Sequence, residues 1–86
     1  MAAADFGAIR INHCGVVAIK NTEISNKPIA LDVLVGQVYL NNTVTGTGNT
    51  VVIRCGSAWG NLGGYVQKGG ATIAGEEQKG YGGQIW

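Results

Sequence analysis

Apolar and polar residues alternate along the first two thirds of the chain. Between Ala8 and Lys20 the odd-numbered positions are mostly aliphatic, whereas the even-numbered positions include Arg10 and Asn12. Alternation with a period of two residues is typical of a β-strand with one buried face. Apolar residues do not recur at the spacing of three and four residues that a helix requires. The pattern therefore predicts an all-β protein.

A second alternating segment follows Pro28, and its parity changes at Gly36-Gln37. Aliphatic residues occupy odd positions in 29–35 and mostly even positions in 38–44. Gly36-Gln37 suits a two-residue type II′ turn, which would make the two segments an antiparallel hairpin. One long strand with a bulge at Gly36 is the alternative.

Turn signals divide the rest of the chain into short elements. Gly69-Gly70 predicts a second hairpin. The predicted elements are a loop at 45–49, strands at 50–55, 65–67 and 71–74, an exposed loop at 74–80 and a terminal strand or docked tail at 83–86. About six short strands in one domain of residues 1–86 indicate a small antiparallel β-sandwich or open barrel. Residues 1–7 would form an N-terminal tail, and residues 56–86 a glycine-rich, turn-rich half.

A faint internal repeat supports a different architecture. Ile19-Lys20-Asn21-Thr22 and Leu40-Asn41-Asn42-Thr43 share a pattern that resembles one coil of a right-handed parallel β-helix. Asp5-Phe6-Gly7-Ala8 resembles the opening of pectate-lyase-like chains and phage tailspikes. The third copy is expected at Asn61-Leu62-Gly63-Gly64, where the apolar residues are missing. This resemblance implies a fragment of a β-helix or a piece of a trimeric fibre, and not an enzyme on its own.

Composition excludes several classes of protein. Hydrophobic residues make up 45% of the 86 residues, which disfavours disorder. Charged residues make up 13% and the net charge is +1, so binding to nucleic acid through phosphate neutralisation is not expected. The apolar runs are too short to span a bilayer, and without a charged region and an apolar region before Ala2-Ala3-Ala4 no signal peptide is expected. The expected location is extracellular or on a virion.

The two cysteines suggest a disulfide. Cys14 and Cys55 are an even count in a small β-domain, and a bond between them would close a long loop. Two buried thiols are the alternative. The alternation of the first strand also argues against the bond, because Cys14 would point away from the buried face unless Gly15 bulges.

The sequence offers no enzyme site. His13 and Cys14 are neighbours in a predicted strand, so their side chains point to opposite faces and cannot share a proton. These two residues and Cys55 lack the spacing of a zinc site, and the acidic residues are isolated or lie in a polar loop. No catalytic residue, metal or cofactor is therefore expected.

Aromatic residues of the glycine-rich half are the best candidates for a contact surface. Aromatic rings framed by amide side chains are suited to stacking on sugars or to contacting protein. Filling a thin core is the alternative role of the two tryptophans. The predicted surface consists of Trp59, Asn61, Tyr65, Gln67, Tyr81 and Trp86.

Two non-enzymatic functions fit these observations. Few charges, abundant glycine and β-branched strands favour a structural, self-associating subunit of a filament, coat or decoration layer. A secreted binding module, such as a lectin-like domain, is the alternative. The segment from Cys14 to Cys55 resembles fungal β-sandwich effectors with one disulfide, which implies a protein partner contacted at an exposed strand edge. The expected partner is thus a second copy of the chain, a protein or a carbohydrate.

Overall fold

The computed structural model describes residues 8–56 and 63–86, and strands dominate both segments. The all-β prediction is confirmed. The strands are β1 (Ile9–Ile19), β2 (Ile29–Leu40), β3 (Thr45–Gly46), β4 (Val51–Cys55), β5 (Gly64–Gln67), β6 (Thr72–Ile73), β7 (Glu76–Lys79) and β8 (Gln84–Ile85). Among the described residues, no helix is long and apolar enough to cross a membrane.

Every pairing between these strands is parallel, so the predicted antiparallel sandwich or barrel is wrong. The chain forms a β-solenoid in which each coil pairs with the coil before it. The second coil contains β2 and β3, the third β4, β5 and β6, and the last β7 and β8. The stack from β1 through β2 and β4 to β7 spans three strand spacings, about 14 Å, which fits the shortest dimension of 17 Å.

The long strand β2 organises the main sheet. One edge of β2 pairs with β1 along most of its length. The other edge pairs with β4 in its first half and with β5 in its second half. Gly36 lies between these halves, with a φ of 105° that suits glycine, and the strand continues through it. The alternative of one long strand is therefore correct, and the predicted hairpin at Gly36-Gln37 is wrong.

Two further predictions in the glycine-rich half are also wrong. The Gly69-Gly70 hairpin is absent because β5 and β6 pair with strands of the previous coil, β2 and β3. The residues of the expected exposed loop at 74–80 are exposed, but they include the strand β7, which pairs with β4. The predicted terminal strand is present as β8.

Inward-facing residues of successive coils stack into apolar columns. One column contains Leu31 and Ile53, and a second contains Val38 and Val66. All four side chains are at most 2% exposed. Repeating β-branched and leucine residues at the same register lets each coil bury the apolar surface of its neighbour, which a single coil cannot do alone.

One buried amide side chain, that of Asn49, forms hydrogen bonds with backbone groups at a corner of the solenoid. Asn49 is 7% exposed, donates from Nδ2 to the Ile24 carbonyl at 2.8 Å and accepts the Lys27 N–H at 3.0 Å. Backbone groups at a corner lack a ladder partner, so this side chain satisfies polar groups of the previous coil.

The predicted disulfide is not formed, because both cysteines are free thiols. Cys14 is exposed on β1 and Cys55 is buried on β4, with β2 between the two strands. Two strand spacings are about 10 Å, whereas a disulfide needs Cα atoms within about 7 Å. The alternative of two buried thiols holds only for Cys55.

Candidate functional site

One outward face of the sheet carries aromatic and glutamine side chains in alternation. Three strands contribute a pair each, separated by one aliphatic residue that points into the core. The pairs are Gln37 and Tyr39 on β2, Tyr65 and Gln67 on β5, and Gln84 on β8 with Trp86 directly after it. We call these six residues the aromatic–glutamine face.

Parallel register places the pairs beside one another in alternating order. Gln37 pairs with Tyr65, and Tyr65 pairs with Gln84. Tyr39 pairs with Gln67. The rings of Tyr39 and Tyr65 are therefore diagonal neighbours, with centroids 5.8 Å apart and planes tilted by 48°. Aromatic and glutamine side chains therefore alternate both along each strand and from strand to strand, so that each ring has amide groups beside it.

Each ring of the face donates a hydrogen bond to the glutamine on its own strand. The Tyr39 hydroxyl donates to Gln37 Oε1 at 2.8 Å, and the Tyr65 hydroxyl donates to Gln67 Oε1 at 3.2 Å. Trp86 Nε1 donates to Gln84 Oε1 at 3.4 Å. These bonds hold the amide groups beside the rings and restrict the rotamers of both, which lowers the entropy lost when a ligand is bound.

A groove of about 600 Å³ runs beside this face, at the bend of the sheet. Glycines at the bend leave the backbone uncovered, and the groove extends across several coils. Its described lining residues are Cys14, Gly15 and Val16 from β1, Val35, Gly36, Gln37 and Tyr39 from β2, Gly63 and Tyr65 near β5, and Gly82 and Gln84 near β8. None of these side chains carries a formal charge.

The structure brings together three of the six residues predicted as a contact surface, namely Tyr65, Gln67 and Trp86. Tyr81 is 66% exposed in the connection between β7 and β8 and does not line the groove. Trp59 and Asn61 lie outside the described residues. Whether the surface binds a partner remains a prediction.

Sequence reasoning missed Gln37 and Tyr39 as members of this face, and it noted Gln84 only as an amide near the aromatic residues, outside the predicted set. A signal was present, because Gln37-Val38-Tyr39, Tyr65-Val66-Gln67 and Gln84-Ile85-Trp86 all have an aliphatic residue between a glutamine and an aromatic residue. In a strand, that spacing places the two outer residues on one face and the middle one on the other.

The two ends of the solenoid differ in chemistry. At the first end, Ile9, Ile11, Val17 and Ile19 of β1 pack against the core but are only partly buried. At the last end, β7 has the sequence Glu-Glu-Gln-Lys, and all four residues are exposed. Glu77 continues the column of Ile53, so a charged residue closes that apolar column.

No protein-family model matches this chain, and no curated protein or solved structure matches it.

Proposed function

We propose that the chain is a structural, self-associating β-solenoid unit, and that its copies join through the exposed edge of β1. The observation that carries this proposal is the contrast between the two ends. β1 is an edge strand of 11 residues in which Arg10 is the one charged residue. Long apolar edges pair readily with other strands unless charges or prolines protect them.

A hollow along β1 adds to the surface that a partner would cover. It has a volume of about 320 Å³ and lies between Arg10 and Val17. Val16, on the same stretch, is 69% exposed. Covering partly exposed aliphatic side chains is favourable by about 25 cal/mol per Å² of apolar surface.

Head-to-tail stacking is disfavoured by the charges of the last coil. In such a stack, β1 of one copy would pair with β7 of the next, and Ile9 would continue the column that Glu77 closes. Covering the Glu77 carboxylate with isoleucine would remove water from this group and from its ion pair with Lys68, which costs free energy.

Antiparallel pairing of β1 with β1 of a second copy avoids this cost. The strand has two regularly paired stretches, 9–11 and 16–19, on either side of an irregular centre. A two-fold axis at Cys14 would set Ile9 opposite Ile19 of the partner subunit and Ile11 opposite Val17 of the partner subunit. Aliphatic residues of one copy would then lie opposite aliphatic residues of the other. Because the two-fold axis uses the same edge of both copies, the assembly would be a closed dimer.

The molar mass in solution tests this proposal. Light scattering on a sizing column, at protein concentrations tenfold apart, should give a mass above 8.9 kDa that increases toward twice that value. Val17→Lys should return the mass to that of the monomer. Ile85→Lys is the matched control, because Ile85 occupies the same column at the other end and is also partly buried.

A cross-linking measurement checks the register independently of folding defects. A short bis-maleimide should join Cys14 to Cys14 of the partner subunit in the Cys55→Ala variant. A mass of 8.9 kDa at every concentration, or association that Ile85→Lys abolishes and Val17→Lys does not, would overturn the proposal.

A further inference from the structure

The groove beside the aromatic–glutamine face has the features of a binding site for an uncharged, hydroxyl-rich ligand. Its described lining combines exposed glycine backbone with Gln37, Tyr39, Tyr65 and Gln84, and none of these groups carries a charge. The described lining thus lacks the lysine or arginine that strengthens the binding of a phosphate-containing or strongly acidic ligand.

The side chains present two kinds of contact that sugars use. Tyr39 and Tyr65 are partly exposed, so each offers ring surface for stacking against the C–H face of a pyranose. The carbonyl oxygen of Gln37 accepts the hydroxyl of Tyr39, which leaves the two amide hydrogens of Gln37 as donors. Sugar hydroxyls accept and donate hydrogen bonds, so a mixture of amide and tyrosine hydroxyl groups suits them.

The arrangement extends along the solenoid axis and repeats from coil to coil. Gln37, Tyr65 and Gln84 lie in one register row on β2, β5 and β8. Strands in a sheet are about 4.8 Å apart, so the outer two strands of this row are about 10 Å apart. This distance is comparable to the length of a disaccharide unit in an extended, β-1,4-linked chain. A row of contacts at this repeat suits a linear ligand better than a compact one.

We propose that this groove binds a neutral, linear oligosaccharide, with Tyr39 and Tyr65 stacking on sugar rings and Gln37 and Gln84 donating hydrogen bonds to hydroxyl groups. The four residues that contact the sugar lie on the second, third and last coils, whereas the self-association proposed above uses β1, which contributes Cys14, Gly15 and Val16 to one side of the groove. Binding would give a self-associating unit a means of attachment to a polysaccharide surface.

Titration with defined oligosaccharides tests the site. The probes are cellohexaose, xylohexaose and mannohexaose as neutral linear chains, with a hexamer of galacturonic acid and oligo(dT) as anionic chains of similar length. Binding is followed by isothermal calorimetry and by chemical shifts of the backbone amides. At least one neutral hexamer should bind saturably and shift the amides of Gln37, Tyr65 and Gln84, whereas the anionic chains should not.

Variants separate the site from the rest of the surface. Tyr65→Ala should weaken binding about tenfold or more, because a stacking partner and its hydrogen bond are lost together. Tyr81→Ala removes a more exposed tyrosine outside the groove and should leave the affinity unchanged. Tyr65→Phe keeps the ring and should retain most of the affinity, which distinguishes loss of stacking from loss of folding.

Three results would overturn the proposal. The first is the absence of saturable binding for every neutral hexamer. The second is binding that Tyr65→Ala and Tyr81→Ala weaken equally. The third is a preference for the anionic chains. Because Val17→Lys leaves the groove side chains Tyr39, Tyr65, Gln37 and Gln84 in place, repeating the titration with that variant shows whether sugar binding and self-association are independent.

Discussion

Arg54 on β4 donates two hydrogen bonds to Asp32 on β2, from Nε at 3.1 Å and from Nη2 at 2.8 Å. The two residues are direct partners in the parallel ladder, 22 residues apart in sequence. The Asp32 side chain is 2% exposed and that of Arg54 is 37% exposed. A carboxylate buried on one coil is thus satisfied by the guanidinium of the next coil, and the pair fixes the register between them.

Replacing Arg54 with glutamine should lower the free energy of unfolding by about 1–3 kcal/mol, because the Asp32 carboxylate stays buried and loses two charge-assisted hydrogen bonds. Urea unfolding followed by circular dichroism measures the change. Lys68→Gln is the control, since Lys68 pairs with Glu77 at a partly exposed site and should change stability by less than about 1 kcal/mol. Equal effects of the two substitutions would contradict this role of Asp32 and Arg54.

The alternation of residues predicted where strands occur but not how they pair. A strand with one buried face shows period two whether its neighbours run parallel or antiparallel. Gly36 is an example. The aliphatic residues change from odd to even positions at Gly36, and this change fits both a hairpin turn and a bend inside β2. Parallel pairing was indicated by the repeat that begins at Ile19 and Leu40, and these two residues are in fact ladder partners.

An insertion in the third coil hid this repeat from the sequence. Asp32 and Arg54 pair across 22 residues, whereas Gly36 pairs with Gly64, 28 residues later. Added residues between β4 and β5 therefore move every later element. The third copy of the repeat, expected at Asn61, falls instead around Gly69, where an added Cβ would meet the backbone of Leu40 and Asn41 of the previous coil.

The candidate surface was predictable only in part for the same reason. Tyr65 and Gln67 stood out because aromatic and amide residues cluster in the glycine-rich half. The pattern around Gly36 fits a turn at Gln37, so the sequence does not predict that Gln37 lies in one row with Tyr65 and Gln84. That row exists only because parallel coils bring distant segments into register.

Asn49 should be the most sensitive asparagine among the described residues. Asn49→Ala leaves the Ile24 carbonyl and the Lys27 N–H without their partner at a buried corner, which should cost about 1–3 kcal/mol. Asn42→Ala is the control at an exposed corner position and should change stability by less than about 0.5 kcal/mol. Thermal unfolding of both variants measures the difference, and a tolerated Asn49→Ala would show that water replaces the amide.

Gly64 should not tolerate a side chain. A Cβ at this position would lie 2.7 Å from the Val33 carbonyl oxygen and 2.9 Å from Cys55 Sγ. Gly64→Ala should therefore destabilise the protein by about 1–3 kcal/mol through overpacking. Gly15→Ala is the matched control, because a Cβ there meets nothing within 4 Å. A Gly64→Ala variant as stable as Gly15→Ala would show that the β2 and β5 strands separate at little cost.

The two thiols should differ in reactivity and in their effect on stability at high pH. Cys14 is exposed and Cys55 is buried, so iodoacetamide should modify Cys14 in the folded protein and Cys55 only after unfolding. Mass spectrometry of the native and denatured protein measures both rates.

Burial raises the pKa of the Cys55 thiol above its ordinary value, and the nearby Asp32 carboxylate raises it further. The unfolded chain therefore loses the Cys55 proton at a lower pH than the folded protein does. Stability should be unaffected by this group below about pH 8.5 and should decrease as the pH rises from there toward the raised pKa. The Cys55→Ala variant should be less stable overall, and its stability should no longer decrease with pH through this group. The Cys14→Ser variant should keep the decrease. Identical slopes of stability against pH for the wild type and Cys55→Ala, between pH 8 and about pH 10, would show that Cys55 ionises as readily in the fold as in the unfolded chain.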